Sequence, residues 1–331
     1  MSAKGFKKKY LRYAFVVLLC VFIVSAVLLC LGLWEKNHRK YNSGTVELED
    51  SFEYKGKEYI LDKDVETFLV LGLDKYEGTS DDEDFGNDMQ SDFLMLYVFD
   101  NADKTCSAIH INRDTMTKTD VLGVAGNDIG DKIQQIALAH TEGNGKEVSC
   151  RNVADAVSGL LMGRKVNHYM SVTMEAVPVF NDMVGGVEVT VLDDFAGIDD
   201  TLVKGETVNL MGEHALRYVR TRWGVADSSN TSRMARQKQY LTALYEKTLE
   251  KINEDDKFIA EASLAISDHI VSDRSVTQLQ EITEKLSTYE FKGIRYIDGE
   301  NKVGTEWVEF YPDEDSVKEL VVDLFYEPKN N

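Results

Sequence analysis

Five arginines crowd the stretch Gly212–Gln237, GEHALRYVRTRWGVADSSNTSRMARQ, in a 331-residue chain whose formal net charge is −20. They are Arg217, Arg220, Arg222, Arg233 and Arg236. The pattern predicts a short helix, a loop, and a long helix starting near Ser232. Arg233 and Gln237 then stand at i and i+4 and share a face. Arg220 and Arg222 fall where the first helix ends and can point back at them. Guanidinium forks converging from two segments suit phosphate or pyrophosphate oxygens, because each fork donates two parallel hydrogen bonds to an oxyanion. A hydrogen bond of that charged kind contributes about 1.5–3 kcal/mol. The plainer alternative is that these arginines form surface pairs with the many carboxylates.

Other polar groups sit at the ends of apolar runs. Thr67-Phe-Leu-Val-Leu-Gly-Leu-Asp74 is continuous and ends in a carboxylate, which predicts a strand buried on both faces. Asp92 stands just before a second strand, Phe93–Phe99, and Arg113-Asp114-Thr115 follows a third, Cys106–Ile111. On spacing alone, Asp74 and Asp92 begin turns and Arg113 pairs with Asp114. A hairpin is expected where Phe52-Glu53-Tyr54 and Glu58-Tyr59-Ile60 flank Lys55-Gly56-Lys57. The middle alternates. Lys132–His140 has a helical pattern, Ser149 N-caps a helix through Met162, and His168–Thr173 is a strand. A helix over 174–184 is stopped by Gly185-Gly186 and followed by the strand Val187–Val191. Beyond Gln237 the long helix runs to about Ile252. Helices near Asp256–Ile270 and Val276–Tyr289, strands near Phe291–Ile297 and Glu306–Tyr311, and a helix over Glu314–Phe325 complete the chain. Strands alternating with helices predict an α/β fold, a mixed central β-sheet sandwiched by helices.

Residues 14–34 hold 21 residues without a charge, about 30 Å of helix and so the thickness of a bilayer core. Lys4, Lys7, Lys8, Lys9 and Arg12 precede them, which predicts a transmembrane helix with its N-terminus inside and the rest of the chain outside. A cleaved signal peptide is the alternative, but the run is long and no A-x-A site follows. The expected organisation is a cytoplasmic tail over 1–13, a single-pass anchor over 14–34, an extracytoplasmic tether and hairpin over 35–66, and one body over 67–327. Residues 1–40 hold eight of the 37 Lys/Arg and one of the 57 Asp/Glu, leaving a net charge of −27 on the rest. A body that acidic is a poor partner for nucleic acid or anionic lipid, so an anion must be met by a local basic cluster. Cys106 and Cys150 either pair or stay free; no zinc spacing is present. The acidic segment at 77–88 reads as a solvated loop.

An ordered set of motifs resembles the LytR-CpsA-Psr family of membrane-anchored cell-wall proteins. The matches are Leu-Gly-Leu-Asp74, Ser91-Asp92, Arg113-Asp114-Thr115, Asp131-Lys132-Ile133, Asn167-His-Tyr, Val184-Gly-Gly-Val187, Ala215-Leu-Arg-Tyr-Val-Arg-Thr-Arg222 and Arg233-x-x-Arg-Gln237. They cover about 67–240. The resemblance implies a phosphotransferase at the outer face of the cell membrane. It would move a glycopolymer, of the teichoic acid or capsular kind, from a polyprenyl-pyrophosphate carrier to peptidoglycan or another wall acceptor, with Mg2+. It implies that Asp74 and Asp92 hold the metal, that Arg113 assists transfer, and that Arg220, Arg222, Arg233 and Gln237 grip the pyrophosphate. Arg217, Arg236 and Lys132 are secondary candidates. Where the family often carries an acidic residue three positions before Arg233, this chain has Asn230. The other readings are hydrolysis of the same pyrophosphate, or a tethered sensor of lipid-linked precursors that does no chemistry.

Overall fold

The three apolar runs become the centre of a six-stranded sheet. The computed structural model describes residues 49–74, 89–123, 126–255, 257–304 and 307–329. The expected cytoplasmic tail, the membrane helix over 14–34, most of the tether and the acidic segment at 77–88 lie outside the described residues. Among the described residues no helix is long and apolar enough to cross a membrane.

The chain opens with a hairpin of β1 (Ser51–Tyr54) and β2 (Lys57–Leu61), then β3 (Val65–Leu73), β4 (Ser91–Asp100) and β5 (Thr105–Ile111). A second hairpin, β6 (Met116–Leu122) and β7 (Asp128–Gln135), leads through a 3-10 turn into α1 (Glu147–Leu160) and β8 (His168–Thr173). Next come α2 (Ala176–Met183), β9 (Val187–Thr190), β10 (Thr207–Leu210), α3 (Gly212–Arg220) and the long α4 (Asn230–Glu254). The last part holds α5 (Phe258–Ala265), β11 (Ile270–Ser272), α6 (Val276–Thr288), β12 (Glu290–Arg295), β13 (Gly299–Val303), β14 (Val308–Pro312), α7 (Glu314–Phe325) and β15 (Tyr326–Pro328).

The main sheet has the order β11-β8-β3-β4-β5-β12. It is mixed, as expected: β3–β8 and β5–β12 are parallel, and the other pairs antiparallel. Alternation along each strand feeds two layers. Leu69, Leu71, Leu94, Leu96, Ile109 and Ile111 pack on Val153 and Val157 of α1 and Leu320 and Val321 of α7. On the opposite face Phe68, Phe99 and Cys106 meet Leu279, Ile282 and Leu286 of α6. A third cluster joins β9 and β10 to α2, α3, α4 and α5 through Val187, Val189, Tyr218, Tyr240 and Phe258. It fixes α3 against α4. Register then decides where the chemistry falls. Leu73 pairs with Ser91 and Ile111 with Leu94, so Asp74, Asp92 and Arg113 all emerge at one end of the sheet.

Several expectations are corrected. Lys132–His140 is not a helix: its first part is β7, paired with β6 as Lys132↔Thr119 and Ile133↔Lys118, and only Ile136–Thr141 turns, as a 3-10 helix. Ile133 is 65% exposed, so it never contributed to an apolar helix face. The helix expected over 256–270 stops at Ala265, because Ile270–Ser272 pairs with β8 at the sheet edge. α1 begins two residues before Ser149, whose hydroxyl bonds the Glu142 carbonyl at 2.6 Å. The hairpin assigned to the tether joins the body, since β15 pairs with β2. Cys106 and Cys150 are both buried and free.

Gly185 and Gly186 end α2 at φ +88° and +87°. A Cβ on Gly185 meets nothing within 4 Å, whereas one on Gly186 would stand 2.6 Å from Asn209 Nδ2. Gly185→Ala should therefore cost only the backbone strain, about 1–2 kcal/mol. Gly186→Ala should cost clearly more, because Asn209 must leave its bond to the Gly185 carbonyl at 3.3 Å. Urea unfolding of the two variants checks this; equal midpoints would refute it.

Candidate anion site

Arg113 leaves the end of β5 and turns toward Asp92 at the start of β4. One terminal nitrogen bonds the Asp92 carboxylate, and the other donates to Gln90 Oε1 at 2.6 Å. Arg233, in the first turn of α4 and 4% exposed, reaches the same residue from the other side. Its Nη2 donates to the Asp92 carbonyl at 3.2 Å, and its Nη1 lies 3.7 Å from Asp92 Oδ2. Asn230 aims that guanidinium by accepting from its Nε and Nη2 at 3.1 and 2.7 Å. Asn230 in turn donates to Asn112 Oδ1 at 2.6 Å, which ties the helix start to the strand end beside Arg113. The position that is often acidic in the family thus holds a neutral amide that still orients an arginine.

Arg220 and Arg222 complete the cluster from the end of α3. Arg220 Nη2 donates to Asp74 Oδ2 at 2.9 Å, and Arg222 Nη1 lies 4.0 Å from Asp114 Oδ2. These groups surround a cavity of about 1040 Å³. Arg113, Arg217, Arg220, Arg222 and Arg233 line it against Asp92, Asp114 and Glu213, leaving a local excess of positive charge in an acidic body. The crowding shows in the titration of the groups. Burial, then repulsion from Arg233, pushes Arg113 down to about 10. Burial, then Arg222, pushes Arg233 down to about 10 as well. Both stay cationic at neutral pH. Burial raises the Asp114 carboxyl against the pull of Arg113 and Arg222. Arg113 Nε, Arg222 Nε and Asp74 Oδ1 are buried without a hydrogen bond. An unmatched buried polar group costs about 1–3 kcal/mol, more when charged; Arg113 Nε faces the Asp114 carboxylate at 3.5 Å.

The structure thus gathers Arg113, Asp92, Arg217, Arg220, Arg222 and Arg233 around one cavity, with Asp74 held at its edge by Arg220. Three predicted residues stand elsewhere. Gln237 is buried and donates to the Val219 carbonyl at 3.1 Å; one turn beyond Arg233, it lies beneath α3 and not in the cavity. Arg236, 1% exposed, bonds the Tyr218 carbonyl at 3.1 Å, the Thr221 carbonyl, and Asp193 at 2.7 Å. It is a strut for the α3 end. Lys132 pairs with Glu142 at 2.9 Å on the β7 hairpin. Lining residues that sequence reasoning passed over include Gln90, Asp114, Gln135, Trp223 and Trp307. Asp114 was within a recognised motif; Trp307 comes from a distant hairpin that no local signal links to the site.

Among the described residues no three His, Cys, Asp or Glu side chains cluster as metal ligands. Of the two carboxylates expected to hold a metal, Asp92 is paired with Arg113 and Arg233, and Asp74 with Arg220. Asp74 offers a buried oxygen without a partner, and Mg2+ takes one or two carboxylates together with phosphate oxygens. These residues fit an ion that arrives with, or is completed by, a phosphorylated ligand.

Fold and cavity together define an α/β protein, a mixed sheet between helices, with a cavity walled by arginines. The chain belongs to the LytR_cpsA_psr family, whose model matches residues 34–321. It is 24% identical over 290 residues to Biofilm regulatory protein A of Streptococcus mutans, covering 84% of this chain and 66% of that one. It is 28% identical over 213 residues to the polyisoprenyl-teichoic acid–peptidoglycan teichoic acid transferase TagV of Bacillus subtilis, covering 62% and 49%. The chain thus spans about half to two thirds of the length of these curated relatives. The crystal structure of B. subtilis TagV has the same fold, with a TM-score of 0.58 at 23% identity over 80% of this chain and 97% of that one.

Arg236→Ala should destabilise the body by about 3–5 kcal/mol, since it strands Asp193 and two carbonyls beneath α3. Arg220→Ala, with a side chain 52% exposed, should stay within about 0.5 kcal/mol of wild type. Thermal unfolding of both variants separates strut from ligand-facing arginine; similar losses would contradict the division.

Proposed function

We propose that this protein is a transferase that moves a glycopolymer from a polyprenyl-pyrophosphate carrier to peptidoglycan or another wall acceptor. The observation that carries this is the convergence of five arginines on one cavity, against three carboxylates. TagV is named for the transfer of teichoic acid to peptidoglycan, which supports the same class of reaction here. The N-terminal apolar run would tether the body at the outer face of the membrane, where a lipid-linked donor is found.

The residues divide the work by position. Arg113 and Arg233, both buried and both braced on Asp92, cannot swing away. They would hold the oxygens of the phosphorus under attack and neutralise charge as it builds. Arg220, at the mouth, and Arg222 would hold the second phosphate, which leaves on the prenyl alcohol when the bridging P–O bond breaks. Fixed donors of this kind act without reorganising during reaction. Asp74 and Asp92 would hold Mg2+, which supplies further neutralisation of phosphate charge.

The full-length chain, given a prenyl-pyrophosphate-linked glycan, Mg2+ and peptidoglycan fragments, should attach glycan covalently to the acceptor. Arg113→Ala should lower kcat by about 10²–10³ with little change in KM, while Arg220→Ala should raise KM and lower turnover. Free phosphorylated glycan without acceptor labelling would assign hydrolysis instead. Tight binding with no product, unaffected by Asp74→Ala or Asp92→Ala, would assign a sensor.

A further inference from the structure

Two indoles stand on the walls of the arginine cavity. Trp223 follows the end of α3 and is 69% exposed; Trp307 precedes β14 and is 66% exposed. Both line the cavity. Each leaves a large flat apolar face in water, where an aromatic ring gains most from a partner that covers it. Neither side chain is adrift. The Trp223 ring lies 4.6 Å from the Arg222 guanidinium, a cation–π contact that sets its plane. Trp307 is carried by a strand tied to the site floor: the Val308 carbonyl accepts from Gln135 Nε2 at 2.7 Å, and Phe310 N donates to the Asp114 carbonyl at 2.9 Å. Asp114 is the carboxylate beside Arg113 and Arg222.

The chemistry of the remaining wall selects the occupant. Beside the indoles and the arginines it mixes polar Gln135, Thr141, Glu213 and Thr221 with the aliphatic side chains of Leu138, Leu216 and Val308. A prenyl chain needs an unbroken apolar lining, since every polar group it covers loses water without gaining a bond. A pyranose ring has hydroxyls around its edge and C–H bonds on its faces, so it can use both kinds of wall.

We propose that Trp223 and Trp307 form a sugar platform that packs on the C–H faces of the glycan residue adjoining the pyrophosphate. This rests on the pyrophosphate-transfer reading given above. The platform makes the site choose a glycosylated carrier over a bare prenyl pyrophosphate. Both carry the anion the arginines bind, and only one carries a ring.

Calorimetric titration of the full-length chain with two probes tests it: a short-chain prenyl pyrophosphate, and the same molecule carrying one N-acetylglucosamine on its terminal phosphate. Wild type should bind the sugar-bearing probe about tenfold more tightly, a difference of roughly 1.4 kcal/mol. Trp307→Ala and Trp223→Ala should bring the ratio of the two affinities close to one, and Trp307→Phe should keep most of it. If the variants weaken both probes alike and the ratio persists, the indoles hold the prenyl chain and the platform is overturned. A wild-type ratio near one overturns the platform and leaves the transferase reading standing. Failure of wild type to bind either probe would sink both.

Discussion

Asp92 is the anion on which the site is assembled. Its carboxylate meets Arg113 and Arg233, and its backbone carbonyl takes a further bond from Arg233. Two buried guanidiniums repel each other, and burial itself disfavours both charges. One shared carboxylate offsets that repulsion without neutralising it. What remains is a surplus of positive charge, held at fixed distance. A buried ion pair of this kind is a weak source of stability. It is a strong means of fixing geometry, and fixed geometry is what a tetrahedral oxyanion rewards.

The scaffold around it explains why the arginines do not drift to the many surface carboxylates. Arg113 and Asp92 are set by strand register, which a slip of one residue would reverse to the opposite face. Arg233 is set by a helix whose first turn is anchored twice, by the Ser229 cap and by the Asn230–Asn112 bond. Arg220 and Arg222 depend on the end of α3, and Arg236 holds that end by its last carbonyls. The most buried of the five arginines in 212–237 therefore stands outside the cavity. Its charge is used on Asp193 and on backbone oxygens, so that its neighbours can be aimed outward.

Much of this was legible in the sequence where the local pattern and the fold agree. The apolar run ending in Asp74, the strand after Asp92, the helix pair around the arginines and the glycine stop at 185–186 all read correctly, because burial on both faces and cap chemistry act over short range. The errors have two origins. β11 and β15 are strands because of partners distant in the chain, and no window of residues carries that information; β7 pairs with its neighbour β6 in a hairpin, against a helical pattern in its own residues. The same limit applied to the site. Gln237 and Arg236 have the types and spacing of ligand-binding residues, yet one turn of helix separates Arg233 in the cavity from Gln237 beneath α3. Periodicity gives the face of a helix; it does not say where along that face the cavity ends.

Electrostatics shows why contact, and not long-range attraction, must govern recognition. The chain beyond residue 40 carries a net charge of −27, so the field at a distance repels a pyrophosphate. At physiological ionic strength charges are screened over about 8 Å, and the local excess from five arginines against three carboxylates is felt only inside or at the mouth of the cavity. An anionic ligand must therefore be delivered to that mouth by something other than the field. In the function proposed above, a membrane-bound carrier beside a membrane-tethered protein would meet that need.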